Sequence, residues 1–372
     1  MKKHLLTTLT LLTALAVSSI GNAANLWQLK NGTPDLKSAG TLAFGPDGII
    51  FVGDQKGAAV FAIDTADGKG KAAEVSLNLV GVADRVAKAL NVSAKDVKVN
   101  DLAVNPATGR TFLAVTKGSG SDATPALVKV DAKGTFSEVS LKNIGFSKVA
   151  LPNAPADKAV KSRRGMRNSR DDAITDLAYV DGRVIVSGLA ASNEGRMGST
   201  VREIAFPFVE ADQGSRIEIF HGAHGRTEDG SAIRTFVPFN INGEPTLLAG
   251  YVCTPLVKFP LSSLKSGEKT IGTTVAELGN RNRPLDMIVY EKGGKDFLLL
   301  ANSARGIMKI STEDIATREG INKRISGTAG QPYETIAAWQ GVVQLDKVNA
   351  TTAVVLIQFE NEALQLKTVE LP

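Results

Sequence analysis

The 372-residue chain has a single cysteine, Cys253, so no disulfide can form within it. Histidine is almost as scarce: His4, His221 and His224 are the whole set. No C-x-x-C-H sequence occurs, which excludes covalently attached c-type haem. No P-loop and no G-x-S-x-G elbow is present, so two common nucleotide and nucleophile scaffolds drop out. "DTADGKG" from Asp64 lacks the later glutamate of a calcium loop. Beyond the first residues, no stretch reaches the ~20 apolar residues of a membrane helix. The formal charge is only +5, which gives no general case for nucleic acid.

What is present begins with an address. MKKHLLTTLTLLTALAVSSIGNA opens with Lys2 and Lys3, continues as an apolar run from Leu5 to Val17, and ends in the small residues Gly21-Asn22-Ala23. This is the pattern of a cleavable signal peptide over residues 1–23, and it implies an exported, periplasmic protein. Cleavage removes two lysines and no acid, leaving a charge of +3 on residues 24–372. It also removes His4, so His221 and His224 become the only imidazoles. A chain of this length can rest on its core without disulfides, and Cys253, within apolar "GYVCTPLV", reads as a buried thiol.

The remainder is repetitive. A short apolar strand, a polar turn and a nearly all-apolar second strand recur, followed after a gap by a third strand. Units begin at Gly40 ("GTLAFGPDGIIFVGD"), Asn100 ("NDLAVNPATGRTFLAV"), Ala173 ("AITDLAYVDGRVIVSGLA"), Ile233, Arg283 and Gln340. Pro46-Asp47-Gly48, Asp181-Gly182 and Asn242-Gly243 are hairpin turns, since these residues tolerate positive φ. Second strands such as "FLLLAN" are apolar on both faces, as expected between neighbouring sheets. Antiparallel repeats at this spacing predict an all-β fold: a single β-propeller over 24–372 with short helical insertions between blades. Six blades are expected. Seven is the alternative, because 192–220 has room for a further sheet. The last unit shows three strands, and "NLWQLK" near the N-terminus is the candidate to complete it.

"LAFGPDGIIFVGD", "DLAVNPATGRTFLAV" and "GNRNRPLDMIVY" resemble the repeats of the propeller superfamily that includes gluconolactonase/regucalcin-like, NHL-repeat and YVTN-repeat proteins. The resemblance is one of repeat style over most of the chain; it implies the fold and leaves function to the site. Gluconolactonase-like enzymes hold a divalent cation on the axis with acidic and amide side chains, and Asp286, Asn302, Asp101 and Asp54 are residues of those types. Ala39 and Gly40 stand where that family carries a glutamate, a departure that counts against lactonase chemistry. Propellers of this kind gather first-strand starts and second-strand ends on one face. That places Asn100, Asp101, Asp176, Arg234, Asp286, Tyr251 and Asn302 together, joined by the loops between blades.

Two groups on that face carry chemistry. "KAVKSRRGMRNSRDD" puts Lys161, Arg163, Arg164, Arg167 and Arg170 within ten residues. Guanidinium matches carboxylate and phosphate two donors at a time, so Arg163, Arg164, Arg167, Arg226, Arg281 and Arg283, with Tyr251, are the expected ligand-binding residues. "HGAHGRTED" supplies His221 and His224, candidate metal ligands or proton carriers that Asp101, Asp176, Asp286, Glu228 or Cys253 would complete, with Asn302 as a further cation ligand. The leading expectation is a monomeric periplasmic propeller binding an anionic small molecule or an exported protein partner. The alternatives are a metal-dependent hydrolase or oxidoreductase using one divalent ion with His221, His224 and Asp286 as catalytic groups, and a structural scaffold.

Overall fold

The computed structural model describes residues 26–72, 75–162, 165–192, 195–253 and 255–372. The leader at 1–23 lies outside the described residues, as do Arg163 and Arg164. Second strands such as Ile49–Asp54 and Lys295–Asn302 are buried because neighbouring sheets cover both of their faces. In Ile49–Asp54, the period of two sends Ile49 and Phe51 into one core cluster and Ile50 and Val52 into another.

Six sheets of four to six strands stand around a central axis, each a mainly antiparallel blade of a propeller. Numbered along the chain, their innermost strands are Leu42–Phe44, Val97–Val104, Asp176–Val180, Thr235–Ile241, Pro284–Lys292 and Val342–Lys347. The expected six blades are therefore present. The described residues of 192–220 hold no seventh sheet: Met197–Ala205 and Ser215–His221 are the third and fourth strands of blade 3.

The order of blades in space differs from their order in sequence. One apolar cluster joins blades 1 and 3 through Ile49, Phe51, Leu177, Val184 and Phe206. Another joins blades 1 and 2 through Ile50, Phe61, Phe112 and Leu127. A third joins blades 2 and 6 through Leu113, Val128, Val354 and Leu366. The remaining clusters run 3 to 4, 4 to 5 and 5 to 6, so the ring reads 1-3-4-5-6-2. After three strands of blade 1 the chain lays Asn78–Val80 on the outer edge of blade 6. Helix α1 (Val82–Leu90) follows, and blade 2 then fills the gap between blades 6 and 1. Ile144–Ala150 returns to blade 1 as its fourth strand before blade 3 begins.

This route corrects the expected closure. The N-terminal strand Lys30–Gly32 pairs with Ile144–Ala150 on the outside of blade 1. The strand missing from the last unit is Asn78–Val80.

Candidate functional site

Because strands alternate in direction, first strands start and second strands end on the same face, and the residues around the axis there enclose a cavity of about 1580 Å³. Its wall carries a repeated carboxyl motif, "NDLAV", "TDLAY" and "PLDMI". Asp101, Asp176 and Asp286 sit on alternate blades of the ring. Each accepts an amide hydrogen from the next blade's inner strand: Leu42 to Asp101 at 2.7 Å, Phe236 to Asp176 at 2.7 Å, and Leu345 to Asp286 at 2.8 Å. Asp346 does the same for the Val104 amide at 2.7 Å, beside Gln344, which accepts from Leu102 at 3.0 Å. Four of the six seams are thus stapled near the axis by side-chain oxygens.

The staples titrate unusually. Burial pushes Asp176 up to about 7 and Asp346 up to about 6, while the amides that bond them pull the other way. Burial, then repulsion from Asp286, drives Asp101 well above the ordinary carboxylate range. Asp286 rises similarly, through burial and then the charges of Asp176 and Asp346. The wall is therefore a ring of carboxyl groups that hold their protons to higher pH than ordinary carboxyls and spend their acceptors on the scaffold.

At the mouth the chemistry reverses. The insertion after blade 1's last strand forms an exposed hairpin, Ala159–Ser162 with Gly165–Asn168, then one turn of 3-10 helix, Ser169–Asp172. Arg170 anchors that turn, donating through Nε to the Pro155 carbonyl at 2.5 Å and through Nη1 to the Lys56 carbonyl at 2.9 Å. Asp172 then lies at the channel rim between two guanidinium groups: Arg234 Nη1 at 2.7 Å from Oδ1 and Arg167 Nη2 at 3.1 Å from Oδ2. Arg283 lies beside them; burial and the charge of Arg234 lower its pKa, and Asp172 raises it. The Nε of Arg234 is buried without a partner.

Gly188 is what admits this arrangement. A Cβ there would stand 2.2 Å from the Ala173 carbonyl oxygen and 3.0 Å from that of Asp172. Gly188→Ala is therefore expected to cost about 1–3 kcal/mol in unfolding free energy and to displace the Asp172 turn. An unchanged denaturant midpoint would show that the turn is not held there.

The structure divides the sequence-derived candidates. Asp101 and Asp286 face the axis, with Asp176 and Asp346. Arg283 reaches the mouth with Arg167. Arg281 is exposed in a left-handed turn outside the channel lining, and Arg226 is exposed on the outer side of blade 3, beside Glu228 and likewise outside the lining. Tyr251, 1% exposed, is packed in the core between blades 3 and 4 rather than presented to a ligand. Asn302, 3% exposed, donates to Asn282 Oδ1 at 3.1 Å and accepts from the Ala304 amide, so it holds a turn.

His221 and His224 do lie toward the same end of the strands, but His221 ends Ser215–His221, the fourth strand of its blade. Three strand spacings of about 4.8 Å separate that strand from the inner one. The expected set of His221, His224, Asp286, Asn302 and Asp101 therefore does not assemble, and neither does a catalytic centre uniting the histidines with Asp286. Of the residues named to complete the pair, it is Glu228 that the histidines meet: His221 Nδ1 at 3.0 Å from Oε2 and His224 Nδ1 at 2.7 Å from Oε1. Arg226 Nε, at 3.1 Å, and Ser231 Oγ, at 3.2 Å, complete its shell. Burial raises the Glu228 carboxyl, and hydrogen bonds from His221, His224 and Arg226 outweigh it, holding the group at about 2. Among the described residues these three form the one group of potential metal donors that converge within 4.8 Å.

Two contributors escaped the sequence reading. Asp346 lies in "QLDKV", which repeats the apolar-Asp signature of the other staples. Glu277 is the acid inside the apolar strand "TTVAEL".

No family model matches the chain, and no curated protein matches it. Among solved structures, a thermostable family-43 glycoside hydrolase superposes with a TM-score of 0.38 at 10% identity, over 74% of this chain and 90% of that one. A family-43 β-xylosidase/α-arabinofuranosidase from a compost microbial metagenome gives 0.35 at 10% identity, over 73% and 90%. A putative glucose dehydrogenase of Thermus thermophilus gives 0.32 at 14% identity, over 92% and 99%. Likeness at this level carries nothing about chemistry.

Proposed function

We propose that the chain is an exported, periplasmic, monomeric binding propeller that holds a small carboxylate-bearing ligand at the mouth of its axial channel. The observation that carries this is Asp172 itself. Arg234 and Arg167 grip its carboxylate from both oxygens, with Arg283 alongside. A place that accommodates one carboxylate has the donors and charge to accommodate another. The cavity beneath, about 1580 Å³, has room for the body of a small molecule. The basic, apolar, small-residue order of 1–23 supports export.

The test is thermal unfolding of the mature protein with succinate, citrate, glutamate and inorganic phosphate. At least one carboxylate is expected to raise the midpoint by several degrees, with no such rise in Arg283→Ala or Arg234→Lys. Arg234→Lys keeps the charge but loses the planar pair of donors, so a folded protein without binding isolates the geometry. No response of the native chain to any carboxylate, or an equal response in both variants, would refute the reading.

A further inference from the structure

The turn His221–Gly225 lies at the outer seam of blades 3 and 4. Thr274 on the fourth strand of blade 4 donates to the Phe220 carbonyl at 2.6 Å. The Ile325 amide donates to the Gly222 carbonyl at 2.9 Å, so a later segment closes over the turn. Arg226–Glu228 folds back on Ser215–His221 with His221 opposite Arg226 and Ile219 opposite Glu228. That register sets His221 and Glu228 diagonally on one face of the hairpin. The turn brings His224 over His221, ring centroids 3.9 Å apart.

We propose that His221, His224 and Glu228 bind one divalent transition ion of the zinc class, locking the seam between blades 3 and 4. Three observations converge on it. The N···O separations of 3.0 and 2.7 Å are hydrogen-bond contacts that need open by only about half an ångström to reach the ~3.4 Å between neighbouring ligands of a tetrahedral ion with bonds of about 2.1 Å. Two imidazoles and a carboxylate suit zinc or its neighbours rather than calcium.

The remaining observations are two unsatisfied atoms. A carboxylate can only accept, so each Nδ1 facing Glu228 must donate to it, and the buried Nε2 of His221 has no partner. Across the turn Glu277, 1% exposed, accepts the Gly222 amide through Oε1 at 2.5 Å, and its buried Oε2 has no partner. An ion on Nδ1 moves the His221 hydrogen to Nε2. The orphaned acceptor then becomes a donor, and Glu277 supplies an acceptor beside the same turn. Carboxylates that hold the distal nitrogen of a ligating imidazole are the usual support of such sites. Glu277 belongs to Thr273–Leu278 of blade 4, so the ion would tie the two blades together.

The experiment uses tag-free mature protein stripped with chelator and titrated calorimetrically with zinc chloride, then with calcium chloride. One zinc per chain is expected, with no calcium binding and a raised unfolding midpoint that chelator reverses. His224→Ala and Glu228→Gln should each weaken zinc at least 100-fold. The His224 side chain is 45% exposed, so its loss leaves the core intact. Cobalt in place of zinc should give a visible absorption band in the native chain and none in His224→Ala. No stoichiometric zinc in the native chain, or equal affinity in the two variants, would overturn the proposal. Since the mouth of the channel is untouched, neither result bears on carboxylate binding.

Discussion

Stability is expected to fall by several kcal/mol as pH rises from about 4.5 to 8, the reverse of ordinary acid denaturation. Asp176 titrates at about 7 and Asp346 at about 6 in the folded chain, against an ordinary 3.8. Asp101 and Asp286 are raised as well. A raised folded pKa means that the native state keeps protons the unfolded state has lost. The associated stability is complete below about 4 and disappears as pH climbs through 6 and 7. Each tenfold change in proton affinity is worth about 1.4 kcal/mol, so Asp176 and Asp346 alone account for an effect on the order of a few kcal/mol. Glu277, raised by burial to about 7, adds in the same direction. Glu228, held at about 2, acts oppositely, its contribution being lost only as pH falls below the usual carboxylate range. Urea midpoints at pH 5, 6.5 and 8 measure this. A midpoint that rises with pH would show that the axial carboxyls ionise freely and that the staples are not buried as described.

Leu79→Pro is expected to cost about 1–3 kcal/mol, although Leu79 belongs to a strand of three residues. Asn78–Val80 is the only partner of the outer edge of Gln365–Glu370 among the described residues, and it joins chain positions nearly 300 residues apart. The Thr368 amide donates to the Leu77 carbonyl at 2.9 Å, and antiparallel alternation makes Leu79 and Leu366 the next bonded pair. Proline at 79 removes that donor and opens the edge of blade 6, which exposes a template for pairing with other chains. Leu366 is 0% exposed, so the damage reaches the cluster shared by blades 2 and 6. The signature is a lowered urea midpoint together with concentration-dependent association on a sizing column. A native midpoint would mean that the ring closes by some other contact.

The blades were legible because period-two apolar strands and Gly, Asn and Asp turns recur with every unit. The ring order was not. It depends on Asn78–Val80, which is mostly exposed, and on Ile144–Ala150, whose burial is mixed. Neither carries the apolar run that marks a second strand. The axial acids were legible from strand starts, since Asp101, Asp176 and Asp286 share one position in their units. Their role as staples was not, because it requires knowing which blade stands next. For the histidines, strand direction gave the correct end of the sheet, while radius depended on a fourth strand that sequence pattern did not resolve. Tyr251 failed for a related reason: the end of a second strand can turn its side chain into the seam instead of toward the axis.

The most direct test of the carboxylate pocket is calorimetric titration of three proteins with the carboxylate that most stabilises the native chain. The proteins are the native chain, Arg283→Ala and Asp172→Ala. With the tethered competitor gone, Asp172→Ala should bind more tightly than the native chain, since its guanidinium groups no longer wait for Asp172 to leave. Arg283→Ala should bind at least tenfold more weakly. That order, tighter without the acid and weaker without the base, is the expected result. Equal affinity in all three proteins, or a loss of binding in Asp172→Ala with its fold intact, would contradict the assignment of the channel mouth as a carboxylate site.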